Sequence, residues 1–283
     1  INIACFGLSG RTGVFDNALV RAAIFSGQKD SAVTGDIKTS DLILFTENNR
    51  EERLQNIEYT STDGLVLRDK IGGGNSKPVL PKVGSDIKRK VIEHLRNASD
   101  NLLSDHYKRG KNVSDGYPVW RSGSGGYWIN PMLEKVYDGV EPLYFSTELH
   151  QRTGFLLLSS SLYYLHWITY GNQRNVSLRT LEAFPWPKSE CINDEKEAIM
   201  ELSTILWDRM MGTFQKAHTN RGRFVMSPLR AIIDDVDILV GSLFNMSDEK
   251  IDFLQQYHTN IGEGRGREGD PNADLSYNSI FEQ

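Results

Sequence analysis

Two stretches of this chain carry side chains suited to reading a ligand. Arg121-Ser122-Gly123-Ser124-Gly125-Gly126-Tyr127-Trp128 joins a guanidinium, two hydroxyls and two aromatic rings to three glycines. Glycine lets backbone approach a partner closely. Arg121 is suited to paired donation to guanine or phosphate, and Ser122 and Ser124 can donate or accept. Tyr127 and Trp128 either stack on a ligand or fill a core. The second stretch, Asn172-Gln173-Arg174-Asn175, offers the amides and guanidinium that match adenine and guanine edges. A plainer reading stands beside each: a tight hairpin with core aromatics for the first, a polar helix C-terminus for the second.

Other chemistry finds little footing. Gly264-Arg265-Gly266-Arg267-Glu268-Gly269 spells a dinucleotide-binding pattern, which requires a strand before it and a helix after it. Here a helical pattern precedes and a Gly-rich polar tail follows. Gly72-Gly73-Gly74 lacks the Lys-Ser/Thr pair of a phosphate loop. His94, His106, His150, His166, His218 and His258 are scattered, and none pairs with another His, Cys or acid at ligand spacing, so no metal site is expected. Ser159-Ser160-Ser161 lacks the glycines of a nucleophile elbow and fits helix packing better. Asp-x-Lys at Asp36/Lys38, Asp86/Lys88 and Asp194/Lys196 is too common a triplet to argue a nuclease centre.

The elements that must hold the two stretches are easier to read. Gly154–Tyr170 carries no charge, breaks at Gly171–Asn175 and closes with Phe184-Pro185-Trp186-Pro187. A membrane span needs about 20 apolar residues, and this segment is shorter and holds Ser159–Ser161 and His166. It reads as a buried core helix, which would hold the polar loop after it rigidly. Leu143–Phe145 reads as a strand, with Ser146 capping a helix that runs to Tyr170 and breaks near Ser159–Ser161. Tyr117–Trp120 and Tyr127–Ile129 are strand-like. Ser85–Arg96 is predicted as a helix from Ile87, Val91 and Leu95, with Ser85 or Gly84 at its start.

Val20–Phe25 and Leu42–Phe45 read as short strands, a terminal hairpin of a larger sheet. Residues 46–76 and 97–115 read as polar connection, and Pro78–Val83 as a short extended piece. The last third is helical: Ile199, Leu202, Leu206 and Met210 form one stripe, and Ile232, Val236, Leu239 and Leu243 another. Asn245-Met246-Ser247 breaks the pattern. Ser247-Asp248-Glu249 starts a further helix, and the tail from Gly262 is expected to be disordered.

A length of 283 residues fits one or two domains. The net charge of -5 hides an uneven distribution. Residues 68–135 hold 13 basic and 7 acidic side chains, and residues 189–283 hold 9 and 17. A basic middle beside an acidic end is compatible with a phosphate-facing surface, and equally with ordinary surface charge. Cys5 and Cys191 match no disulfide or metal framework, so a reducing cytoplasm is the expectation. No signal peptide is visible at Ile1-Asn2-Ile3. The chain opens on Ile in mid-pattern, as a fragment would.

Several segments, in order, resemble the adenine-specific DNA methyltransferases of restriction–modification and phage-defence systems, including those fused to a nuclease. Leu19–Lys29 resembles the late strand of their catalytic domain, and Pro81–Ile87 the opening of their target-recognition domain. Tyr117–Trp128 resembles its aromatic Gly-rich hairpin. Ser159–Tyr164 through Asn175–Pro187 is the most specific match, and Ile233–Asp237 to Asp252–Leu254 resembles the closing helices. The resemblance implies transfer of methyl from S-adenosylmethionine to adenine N6 of a flipped base. The family's Asn/Asp-Pro-Pro-aromatic tetrad is absent: Asn130-Pro131-Met132-Leu133 lacks the second proline and the aromatic. The Gly-rich cofactor loop is absent too. No catalytic or cofactor residue is carried over, and S-adenosylmethionine is expected only in the parent enzyme.

The resemblance thus implies an α+β chain in three regions. Residues 1–47 would be the edge strands of a truncated Rossmann-like methyltransferase domain, 48–190 a mixed target-recognition domain, and 191–283 a helical C-terminal region. The expected partners are double-stranded DNA and the missing N-terminal catalytic domain, with no membrane. The expected DNA contacts are Lys82, Arg121, Ser122, Ser124, Tyr127, Trp128, Asn172, Gln173, Arg174 and Asn175. Two alternatives stand: a non-catalytic DNA-specificity subunit, and a protein-interaction module built on the acidic helices.

Overall fold

The charge-free stretch folds as two helices divided at a serine. α3 (Glu148–Ser159) and α4 (Ser161–Tyr170) meet at Ser160, which closes the first and caps the second by accepting the Tyr163 N–H at 3.2 Å. Every residue of α4 is buried, so this pair is the centre of the molecule. The structure, a computed structural model, describes residues 1–6, 22–26, 36–43, 50–67, 78–110, 113, 115–123, 129–171, 175–216 and 222–260. The tail from Gly262 lies outside them. No helix among the described residues is long and apolar enough to cross a membrane.

The fold is mixed α and β with small sheets. Before α3 come β1 (Asn2–Phe6), β2 (Ala22–Ser26), β3 (Lys38–Ile43), α1 (Arg50–Gln55), β4 (Thr60–Ser61), α2 (Asp86–Ala98), β5 (Tyr107–Lys108), β6 (Tyr117–Ser122) and β7 (Val140–Phe145). After α4 come α5 (Leu178–Glu182), α6 (Ser189–Asp194), α7 (Lys196–Gly212), β8 (Phe214–Lys216), β9 (Gly222–Phe224), α8 (Arg230–Leu243) and α9 (Asp248–Asn260). The strands form sheets of order β2-β1-β3-β4, β5-β7-β6 and β8-β9.

Expectation and structure part in several places. β2 and β3 do not form a hairpin: both flank β1, the first antiparallel and the second parallel. Ile3-Ala4-Cys5-Phe6 has no turn signal before it, which hid this strand. The polar segment 46–76 contains α1 and β4, and the 97–115 connection contains a 3-10 turn at Leu103–Asp105 and β5. Thr147, rather than Ser146, caps α3, accepting the His150 N–H at 3.1 Å. The other helix starts and stripes agree. Ser85 caps α2, and the Ile199 and Ile232 stripes are buried on α7 and α8.

The edge strands are bonded to the segments on their C-terminal side. Thr39 Oγ1 donates to the Pro81 carbonyl at 2.7 Å, and the Gly84 N–H donates to the Thr39 carbonyl at 3.1 Å. Gly84 has φ of +76°, and a Cβ there would lie 2.2 Å from the Asp41 nitrogen, so only glycine fits. Buried Lys88 on α2 donates to Asp41 Oδ1 at 2.6 Å and to the Tyr257 hydroxyl of α9 at 2.7 Å. One hydrophobic cluster runs from Leu42 to Tyr257, across both residue 47 and residue 190. The regions on either side of residue 190 therefore share a core, which the first region joins through Leu42, while Ala4, Phe6 and Ile43 form a small cluster of their own.

Candidate nucleic-acid interface

The two candidate reading loops share a foot. β6 ends at Ser122 and Gly123, and the chain returns from α4 at Asn175 and Val176. The Val176 N–H donates to the Gly123 carbonyl at 3.1 Å. Arg121 Nη1 donates to the Val176 carbonyl at 3.3 Å, a contact between residues 55 apart in sequence. Each segment is thus pinned to the other where it leaves its own element.

Arg121 itself does not face a ligand. It is 3% exposed, its Nη2 donates to Glu141 Oε2 at 3.0 Å, and its Nε is buried without an acceptor among the described residues. Strand alternation is the reason: Val119 and Arg121 share the core-facing side of β6. The expected base or phosphate contact is replaced by a strut from β6 to the Val176 carbonyl and to Glu141 on β7.

Lys82 is a second strut. Its ammonium donates to the carbonyls of Thr169 and Gly171, each at 2.9 Å. Those carbonyls belong to the end of α4, where helix geometry leaves acceptors unfilled and a cation is favoured. Burial pushes the Lys82 pKa down to about 8, against the counter-pull of Cys5 and Asp41. The expected phosphate contact is thus also replaced by a structural one.

The remaining foot contacts come from α4. The Trp167 indole N–H donates to the Asn175 carbonyl at 3.0 Å, and the Gly171 N–H donates to the Trp167 carbonyl at 2.6 Å. A Cβ on Gly171 would sit 2.4 Å from that carbonyl oxygen, so the exit from α4 requires glycine. Asn175 is exposed beside this anchor. Ser122 is half-buried and hydrogen-bonds the Tyr137 hydroxyl. Ser124, Tyr127, Trp128, Asn172, Gln173 and Arg174 lie outside the described residues.

Sequence reasoning missed two features. A cleft of about 1210 Å³ carries Arg96 and Arg179 among Asp63, Asp100 and Glu182, with His166 at its base. With Asp36 and Asp105 also in the lining, acidic side chains outnumber the two arginines, so the cleft is no cationic channel for a phosphate backbone. Burial pushes His166 down to about 4, and its neutral ring donates from Nε2 to the Thr180 carbonyl at 3.0 Å. The second feature is a ring cluster. His106 stacks on Trp186 with centroids 4.5 Å apart, and His150 meets the edge of His106 at 5.7 Å. Burial lowers the pKa of both imidazoles. Only the fold brings these histidines together, since 44 positions separate them in sequence.

Among the described residues, no group of three or more His, Cys, Asp or Glu is placed to hold a metal ion. Both cysteines are free, and burial raises the Cys5 thiol pKa, the opposite of nucleophile activation. What the described residues do is tie the end of β6 and the chain entering α5 to each other and to α4. No protein-family model, curated protein or solved structure matches this chain.

Proposed function

We propose that this chain is the target-recognition part of a DNA adenine-N6 methyltransferase of restriction–modification or phage-defence type, acting in the cytoplasm. It holds a duplex and selects a site, while a catalytic neighbour carrying S-adenosylmethionine flips the base and transfers the methyl group. The observation that supports this reading best is the shared foot of the two loops, with Gly123 bonded to Val176. The segments that follow Gly123 and precede Asn175 carry the amides, hydroxyls and guanidinium that reading base edges requires. Four residues brace the shared foot: Lys82, Arg121, Trp167 and Gly171. Site-reading groups work best when rigid elements fix them.

The roles divide accordingly. Asn172, Gln173, Arg174, Asn175 and Ser124 are the base- and phosphate-reading groups, with Tyr127 and Trp128 beside them. Lys82 and Arg121 are positioning residues. In the full-length enzyme, Arg174→Ala is expected to relax or weaken site-specific methylation while leaving the melting temperature unchanged. Asn172→Ala should act likewise. Unaltered specificity and affinity in both variants would overturn the assignment.

A further inference from the structure

The acidic C-terminal region contains one stretch of opposite sign. Residues 209–229 hold Arg209, Lys216, Arg221 and Arg223 and no acidic side chain, whereas residues 189–283 as a whole hold 9 basic and 17 acidic ones. Part of that stretch folds as the antiparallel β8-β9 ribbon, which pairs Phe214 with Phe224, Gln215 with Arg223 and Lys216 with Gly222. Its root is packed. The Phe214 ring lies 5.2 Å from that of Phe224, which lies 6.1 Å from that of Trp207 on α7. A Cβ at Gly222 would meet Phe214 Cζ at 2.1 Å, so glycine lets the ring lie against β9. The ribbon also stands beside the loop foot. Phe214 stacks on Tyr137 with centroids 6.2 Å apart and planes 8° from parallel. The Tyr137 hydroxyl in turn hydrogen-bonds Ser122, the last residue of β6.

We propose that the β8-β9 ribbon is a clasp for the phosphate backbone of duplex DNA, placed beside the loops that read bases. The inference rests on the target-recognition reading and gives it the cationic contact that Lys82 and Arg121 do not supply. Lysine and arginine on phosphates fix the register of a protein on a duplex without carrying sequence information. A two-stranded ribbon is narrow enough for a groove, and phosphates wall a groove on both sides. The pleat sets Arg223 on the face of exposed Gln215 and Lys216 on the face of Phe214, so one cation serves each wall. A polyanion is drawn in by local rather than net charge, so a run of cations without acids is effective even in an acidic region. Arg221 lies outside the described residues, and the assignment stands on Lys216 and Arg223.

The test is the salt dependence of duplex binding by the intact chain, read by fluorescence anisotropy of a labelled random-sequence duplex. Lys216→Ala and Arg223→Ala should each lower the slope of log affinity against log salt by about 0.9, and the two together by about twice that. Affinity should fall alike for every sequence, and the motif selected from a randomised pool should not change. Lys216→Arg and Arg223→Lys should keep the parent slope. Lys196→Ala is the control: it is exposed at the start of α7, about 24 Å along that helix from the ribbon, and should leave the slope as it is. A double alanine variant with the parent slope overturns the clasp and leaves the target-recognition reading standing. A changed motif overturns it as well, because the ribbon would then read bases. Poly-glutamate that competes as strongly as unlabelled duplex would reduce the contact to bare charge attraction and overturn the phosphate assignment. A parent chain that binds no duplex at any salt refutes target recognition, and the clasp with it.

Discussion

Asp237→Asn should make this protein more stable above neutral pH and leave it nearly unchanged in acid. Asp237 on α8 is 1% exposed. Its Oδ1 accepts the Ser161 N–H at 2.7 Å, at the start of α4, while its Oδ2 is buried with no donor among the described residues. Burial pushes its pKa from 3.8 up to about 7, despite the opposing pull of Arg230. The folded protein therefore keeps a proton that the unfolded chain loses. Stability falls as pH rises from about 4 to about 7, and the deficit is then constant. A shift of this size corresponds to about 4 kcal/mol at 1.36 kcal/mol per pH unit. Asn removes the charge, and its Oδ1 can still accept from Ser161. His166 works in the other direction. Its pKa is lowered by burial to about 4, so it adds stability as pH rises from about 4 to about 6.5. The difference between variant and parent cancels that contribution. Urea unfolding at a series of pH values gives the difference curve. It should be near zero in acid and rise by about 3–4 kcal/mol by pH ~8. Parallel curves for the two proteins would refute the buried-carboxylate argument.

Three further perturbations concern the struts. Arg121→Met keeps the stem but leaves the Val176 carbonyl without its donor, so a loss of about 1–3 kcal/mol is expected in chemical unfolding; a variant of unchanged stability with lost DNA binding would show Arg121 to be a contact after all. Gly171→Ala forces a Cβ against the Trp167 carbonyl and should cost about 2 kcal/mol or more, with accelerated amide exchange at Val176 as the local sign. Lys82→Met removes the ammonium whose pKa burial holds down to about 8. In the parent, Lys82 should add stability as pH goes from about 8 to about 10.5, because only the unfolded chain still binds its proton there; burial lowers the Lys88 pKa as well, so a thermal-melt series should show a smaller rise in the variant.

The sequence exposed those features that depend on local pattern. The helix stripes, the Ser85 cap and the break at Ser160 rest on spacing within one element, and spacing is visible in one dimension. Of the strands at the start of the chain, β2 and β3 were legible in part and β1 was not, because four apolar residues without a flanking turn fit a strand and a helix equally. The site was half legible. The sequence placed the Asn172–Asn175 stretch after a buried helix, which α4 is, but residue type could not separate an arginine that reads from one that braces. Arg121 and Lys82 both carry phosphate chemistry, and each is turned instead toward backbone carbonyls, Arg121 to that of Val176 just before α5 and Lys82 to those of Thr169 and Gly171 at the end of α4. The His106–His150–Trp186 cluster and the Arg96/Arg179 cleft are products of tertiary packing alone, with no sequence spacing to betray them.

Selection from a randomised duplex pool tests the central claim most directly, using the intact chain and sequencing of the retained fraction. Retention should fall steeply between about 50 mM and about 200 mM salt, and one short motif should be enriched by the parent chain and degraded by Arg174→Ala. A retained pool as random as the input, or no retention even at low salt, would contradict the account.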